Sequence, residues 1–423
     1  MANDILCLSW LTKTLTVASA AVLLAACGGN SGNSGGSSGS SGGPVTLNWF
    51  MWSGSDVEKN AWLHVADLVT QKYPNIKIQF ETTPFNDYWT KLTTEAASGS
   101  TPCVIGLQGQ RAPQFGNLLV PLDDYMSKAG VKASDYVPSI TKGLQYDGKQ
   151  VALPYDVGPL VMFYNKDAFK AAGLKEPAVG WTTDEFMADA KALTQPPKYG
   201  FWAQSDISAL MPWVLSSSGK SALNADGKLD VDNPEWHASA QWYTDLVSKE
   251  KVSPQIPSAN SSSASADQFL AGNAYMRLDG PWDLINARKQ AKFKVGIAPM
   301  PAGASGSKTW SDGSGFGVTK DCKNPDEAFQ AVSVMVGEDA EKYLGNAGRA
   351  YPALISTQSS WYEGNKTQDV KPVMDAALQS AVPFTTIPTW QQVVTTFAKQ
   401  AVATYNGQGS VDDLLSQTQA QGG

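Results

Sequence analysis

Val45-Thr-Leu-Asn-Trp-Phe-Met51, then Trp62-Leu-His-Val-Ala66, then Ile76-Lys-Ile-Gln-Phe80 follow one another closely, and their order decides the fold class. The first is a short apolar run suited to a buried strand. Over residues 58–73, Trp62, Val65, Ala66, Val69 and Tyr73 recur at helical spacing, and Pro74-Asn75 breaks the pattern. The third stretch alternates apolar and polar residues as a strand does. A strand, a helix and a second strand in succession predict an α/β body with a mainly parallel sheet. The pattern continues with a helix over about 86–97, a strand over 104–107 and helical or turn segments over 118–126. Asn324-Pro325-Asp-Glu sets an N-cap and a first-turn proline before Phe329, Val332, Met335 and Val336, so a helix starts there. No internal repeat is present, and strands alternating with helices exclude solenoids and propellers.

Outward from this body, the apolar run from Leu15 to Ala26 follows Lys13 and stops at Cys27. It is too short to span a bilayer and reads as the core of a secretion signal over residues 1–26. Its end, Leu24-Ala25-Ala26-Cys27, resembles the lipobox of bacterial lipoproteins, which implies cleavage before Cys27 and lipidation of its thiol; an ordinary signal peptide with an incidental cysteine is the alternative. Residues 28–43 are almost wholly Gly, Ser and Asn, a tether with a reach of roughly 20–25 Å by the square-root rule for Gly-rich chains. Residues 44–423 exceed the size at which one hydrophobic core stops growing, so two lobes are expected. The formal net charge of −7 argues against a nucleic-acid partner, since no basic stripe is present to neutralise phosphates. Once Cys7 is removed and Cys27 lipidated, Cys103 and Cys322 remain, either as a disulfide or as two buried free thiols; they are too few for a zinc signature.

Catalytic chemistry is thin. The two histidines, His64 and His237, sit in amphipathic helical stretches and suit structural roles. Within residues 44–423 neither a G-x-S-x-G elbow nor an H-E-x-x-H motif occurs, and Gly219-Lys220-Ser221 fails as a phosphate loop because Val214 stands where the first glycine is required. No cofactor, no metal and no enzymatic activity are expected. A glycoside hydrolase, which needs only two carboxylates, is the alternative of a different class. What the chain has instead is tryptophan: of 14, Trp52, Trp282, Trp310 and Trp390 stand among Gly, Pro, Ser and Asp and read as loop residues, whereas Trp62, Trp236 and Trp242 fall inside helical patterns and read as core. Pyranose rings present an apolar face to such rings and hydroxyls to neighbouring Asp, Asn, Gln and Arg.

Several segments resemble the extracellular solute-binding proteins of ABC importers, in the maltose-binding-protein-like class that takes up sugars. They are Tyr146-Asp-Gly-Lys-Gln-Val-Ala-Leu-Pro-Tyr155 with Val161-Met-Phe-Tyr-Asn-Lys-Asp167, Phe269-Leu-Ala-Gly-Asn-Ala-Tyr-Met276 with Gly280-Pro281-Trp282, Val295-Gly-Ile-Ala-Pro-Met-Pro301, and Asn324-Pro-Asp-Glu-Ala-Phe329. The resemblance implies a two-lobed periplasmic-binding-protein-like fold with crossover strands and a ligand cleft between the lobes. It assigns residues 44–156 and 311–347 to the first lobe and 157–310 and 348–423 to the second. It further implies a monomer on the extracytoplasmic face of a bacterial membrane that hands its sugar to permease subunits, with a glycerol-phosphodiester-like polyol as the alternative ligand and a co-receptor for a sensor kinase as the alternative role.

By the same resemblance Trp282 is similar to a stacking tryptophan of maltose binders, Trp390 to a second, and Trp52-Ser53 to a loop of polar contacts. Gln110-Arg111 stands where maltose binders carry an Asp-Arg pair, so the acidic member is lost. Asp156 lies at the first crossover. Asp279 beside Trp282 and Asp312 beside Trp310 are expected to accept hydroxyl donors, although an Asp before Gly also makes turns. Arg349 is expected to close over a hydroxyl or an anionic substituent.

Overall fold

Leu47, Trp49, Phe50 and Met51 are all buried, so β1 (Val45–Trp52) is covered on both faces, as strands of parallel sheets are. The computed structural model describes residues 43–53, 56–257 and 261–422; the secretion signal, Cys27 and the tether up to residue 42 lie outside the described residues. α1 (Asp56–Lys72) turns Trp62, Val65, Ala66 and Val69 inward, the face its spacing predicts. β2 (Ile76–Thr83), α2 (Phe85–Ser98) and β3 (Val104–Gln108) follow, and β1 pairs in parallel with both β2 and β3.

The chain next forms β4 (Leu153–Pro159) and, one residue later, β5 (Val161–Asn165). β5 is the centre of a second, antiparallel sheet, flanked by β6 (Met276–Asp279) and β7 (Val295–Ala298). The long β8 (Thr309–Val318) returns to the first sheet, where it pairs antiparallel with β3 and β4 and parallel with β9 (Ala381–Pro383). Parallel pairing therefore holds among β1, β2 and β3 and between β8 and β9, while β8 runs antiparallel to β3 and β4. β8 opposes them because the chain re-enters from the second sheet.

Two hydrophobic clusters form the core, and the second sheet lies between them, with Phe163 and Ile297 in the first and Met162 and Leu278 in the second. The first is organised around Trp49, Trp62, Tyr155 and Phe316, with the Trp49 and Phe316 rings 5.2 Å apart and Tyr155 stacked on Phe316 at 4.9 Å. Trp213, Phe186, Phe201 and Tyr243 anchor the second, with Trp213 on α3 (Ile207–Ser218) and Tyr243 on α4 (Pro234–Ser248). β8 serves both: Trp310 belongs to the second cluster and Phe316 to the first.

Cys103, just before β3, and Cys322, just after β8, form a disulfide, which settles the choice between a bond and two free thiols. Among the described residues no helix is long and apolar enough to cross a membrane. His64 stacks on Tyr343 at 3.8 Å, and His237 pairs with Asp232 at 2.6 Å and Asp412 at 3.0 Å.

Candidate functional site

In the first sheet β2 and β3 lie on opposite sides of β1, so the strand order reverses there, and α/β sheets bind ligands in the crevice outside the carboxyl ends at such a point. Three segments meet at this edge: Trp52-Ser53 at the end of β1, Pro84-Phe85 after β2, and the single turn Gly109–Arg111 after β3. Trp52 is buried, with its ring 5.5 Å from Phe85 and 5.5 Å from Trp89. Trp89 stacks on Phe115 at 5.4 Å and carries the Arg111 guanidinium 5.1 Å from its ring centre. Phe85, 37% exposed, and Trp89 were not among the sequence candidates. Both lie in α2 at core-like spacing; the signal that could have found them is an aromatic at the first position of a helix directly after a parallel strand, with a second aromatic four residues on.

Burial pulls the Arg111 pKa down, opposed by the Asp312 carboxylate, and Arg111 Nε has no hydrogen-bonding partner. Ser53 closes the end of β1 by donating its N–H to the Thr83 carbonyl at 2.9 Å. Gln110 uses its backbone: its N–H donates to Asp312 Oδ1 at 3.3 Å, and its carbonyl accepts from Thr386 Oγ1 at 2.6 Å.

Two carboxylates stand on the paired strands β4 and β8. Asp312 is buried, its Oδ2 has no partner, and burial pushes its pKa up to about 7, with the charge of Asp156 adding. Asp156 accepts from the Ser314 N–H at 2.6 Å; burial raises it to about 6, against the pull of Arg349. Asp312 lies opposite Gly158 in the β4–β8 register. A Cβ at Gly158 would stand 2.8 Å from Cζ3 of Trp282, and one at Gly280 would overlap the same ring. The two glycines thus form a bed for the Trp282 ring. Because directly opposed residues project to one side of a ladder, ring and Asp312 carboxylate share a face. Trp282 is 42% exposed, unlike the other three candidate tryptophans.

Several expectations need correction. None of the four tryptophans is in a loop: Trp52 ends β1, Trp310 lies in β8, Trp282 is the second residue of α5 (Pro281–Gln290), and Trp390 opens α8 (Trp390–Tyr405), after α6 (Pro325–Met335) and α7 (Glu338–Asn346). Trp310 donates Nε1–H to the Ser208 carbonyl at 2.8 Å and stacks on Phe384 at 4.8 Å; Trp390, 2% exposed, meets the edge of Phe384 at 5.7 Å. These two bury large apolar surfaces in the second cluster rather than offer open faces.

Asp279 is engaged on both oxygens, Oδ1 by the Gly280 N–H at 2.7 Å and Oδ2 by Arg277. Arg349 pairs with Glu58 at 2.5 Å and lies 4.7 Å over the Trp62 ring, so its charge is held inside the first cluster. The buried acid Glu341, which sequence reasoning missed, accepts from the Leu354 N–H at 2.8 Å, and burial raises its pKa.

Among the described residues no group of three or more His, Cys, Asp or Glu is placed to hold a metal ion. A cavity of about 260 Å³ lined by Tyr199, Ser248, Lys251, Gln255 and Asn406 contains none of the candidate residues.

Residues 19–342 match the family model of bacterial extracellular solute-binding proteins. A putative binding protein of Brucella abortus is 26% identical over 366 residues, 82% of this chain and 85% of its own. The diacetylchitobiose binding protein of Streptomyces coelicolor is 25% identical over 404 residues, 90% of each. An ABC substrate-binding protein of Listeria monocytogenes, solved with cycloalternan, superposes with a TM-score of 0.80 at 23% identity, covering 89% of this chain and 97% of its own, which shows the shared two-lobed α/β fold.

Proposed function

We propose that this chain, which belongs to the bacterial extracellular solute-binding protein family, captures a di- or oligosaccharide between two lobes and delivers it to the permease of an ABC importer. The observation that carries this reading is the exposed Trp282 ring on its glycine bed, sharing a ladder face with the Asp312 carboxylate. A ring stacks on the apolar face of a pyranose while a buried acceptor selects hydroxyls at its rim. Gln110, Arg111 and Asp156 surround Asp312, and Trp52, Phe85 and Trp89 supply the opposing aromatic wall. The relatives named for diacetylchitobiose and cycloalternan favour the same ligand class. With Arg349 paired to Glu58, a phosphodiester ligand lacks the second cation it calls for.

In this reading residues 44–156 and 311–347 form the first lobe and 157–310 and 348–423 the second. β4–β5 and β8 are the crossing strands about which the lobes close. Cys27 carries a lipid, and the tether lets the body reach its permease from the outer face of the membrane.

The test is a thermal-shift series with maltose, maltotriose, N,N′-diacetylchitobiose and glycerol 3-phosphate, paired with an assay for reducing-end release. A ligand at a hundred times its Kd stabilises the fold by about 2.7 kcal/mol. Stabilisation by a saccharide without its cleavage is the expected result. Stabilisation by glycerol 3-phosphate alone, or saccharide cleavage, rejects the reading.

A further inference from the structure

Arg277, on β6, is 1% exposed, a placement that a guanidinium tolerates only when it is paired and hydrogen-bonded. It lies between two aromatic faces, 4.9 Å from the Phe163 ring centre and 5.4 Å from that of Phe269. Its two terminal nitrogens go to different carboxylates: Nη1 to Asp279 Oδ2, at the end of β6, and Nη2 to Asp283 Oδ2, in the first turn of α5. Those two residues bracket Gly280-Pro281-Trp282. Each carboxylate is tied again by its second oxygen, Asp279 to the Gly280 N–H at 2.7 Å and Asp283 to Asn286 Nδ2 at 3.0 Å.

The helix start has no side-chain cap. Gly280 is its N-cap and offers no side chain, Pro281 offers no N–H, and no side-chain cap bond is made. The side chains that reach the two sides of this entry, Asp279 and Asp283, are joined to each other through the fork of Arg277. A guanidinium suits this task because its donors diverge rigidly in one plane, whereas an ammonium is a single point charge.

We propose that Arg277 is a positioning residue of the binding site, acting through Asp279 and Asp283 to hold the Trp282 ring on its glycine bed in the orientation that stacks on a sugar. The proposal rests on Trp282 being the stacking platform. It assigns Asp279 and Asp283 to the support of the site and predicts that Arg277 contributes to affinity without touching the ligand.

The experiment labels the full chain with 5-fluorotryptophan, assigns the Trp282 fluorine resonance by its loss in Trp282→Phe, and records spectra with no sugar present. Arg277→Met is expected to move and broaden the Trp282 resonance while those of buried Trp49 and Trp236 stay in place. Arg277→Lys, reaching one carboxylate at a time, falls between. Should Arg277→Met fail to fold, Asp283→Asn opens one arm of the fork and is read the same way. An unmoved Trp282 resonance in the folded variant overturns the proposal and leaves the sugar reading intact. Calorimetry with N,N′-diacetylchitobiose and maltotriose supplies the second arm. Arg277→Met is expected to weaken binding several-fold in the parent and not at all in a Trp282→Ala background. A loss of the same size in both backgrounds overturns the proposal. No effect of Trp282→Ala itself overturns the platform and the proposal together.

Discussion

Replacing Asp312 by Asn is expected to make the protein more stable and a poorer binder, and the pH at which stability is measured decides how large the gain is. The carboxylate is buried, its Oδ1 is satisfied by the Gln110 N–H, its Oδ2 has no partner, and its pKa stands at about 7 against an ordinary 3.8. A carboxyl that holds its proton more tightly folded than unfolded gives the native state more bound protons between about pH 4 and pH 7. Unfolding free energy therefore falls as pH rises through that window and levels off above it. A displacement of that size corresponds to about 4 kcal/mol, since each pH unit is worth about 1.4 kcal/mol. Asn keeps the acceptor for Gln110 and never ionises. The variant should match the parent near pH 4 and exceed it by up to about 4 kcal/mol near pH 8, with Asp156 left to set a shallower slope centred lower. Urea unfolding of both proteins across pH 4 to 8.5 measures this. Equal pH slopes, or a variant less stable than the parent at pH 8, would refute the reasoning. The same change removes a charged acceptor from the cleft, so saccharide affinity should fall by about 1.5–3 kcal/mol at pH 8, the worth of a hydrogen bond to a charged group.

Trp282→Ala should weaken saccharide binding by about 1–3 kcal/mol in calorimetry with little change in the unfolding midpoint, because the ring is partly exposed already. Trp390→Ala should do the reverse, lowering stability by about 3–5 kcal/mol as a buried large-to-small change does. Gly158→Ala sets a Cβ 2.8 Å from the Trp282 ring, so the ring must retreat by about 0.6 Å to reach the ordinary 3.4 Å contact. The loss of stacking, about 0.5–1.5 kcal/mol, should appear as a several-fold weaker Kd, and an unchanged Kd would mean that the bed is not used. Cys103→Ser should lower unfolding free energy by about 2–5 kcal/mol, and addition of a reductant should abolish the difference from the parent; equal midpoints without reductant would refute the closure of so long a loop.

The strand–helix–strand opening was legible because each element is amphipathic or buried in a way that periodicity reports: the inward face of α1 is the face read from Trp62, Val65, Ala66 and Val69. The setting of Trp310 before Ser311, Asp312 and Gly313 misled, because a serine, an aspartate and a glycine in a row read as a loop. In the structure Gly313, Gly315 and Gly317 lie where a Cβ would strike the Asp156, Leu153 and Val151 carbonyls, so the small residues are what lets β8 approach its neighbour closely. Close approach is a property of two strands and leaves no periodic mark on one. The same limit hid the partners of Arg349 and Asp279. Glu58 stands far from Arg349 in sequence, and nothing local announces that Arg277 turns inward. Trp282 was legible through Gly280-Pro281-Trp282, but the bed under its ring includes Gly158 of β4, far away in sequence.

Cys103 and Cys322, 219 positions apart, bracket the whole excursion from β3 out through the second sheet and back along β8. A covalent ring thus encloses the greater part of the body. For a protein exposed to proteases outside the cell, one cut within that ring, for instance at the exposed Val179, parts the backbone without releasing a fragment. The nicked molecule would migrate as a single chain until a reductant separated it into two, with β3 and β8, whose ends the bond joins, still paired side by side.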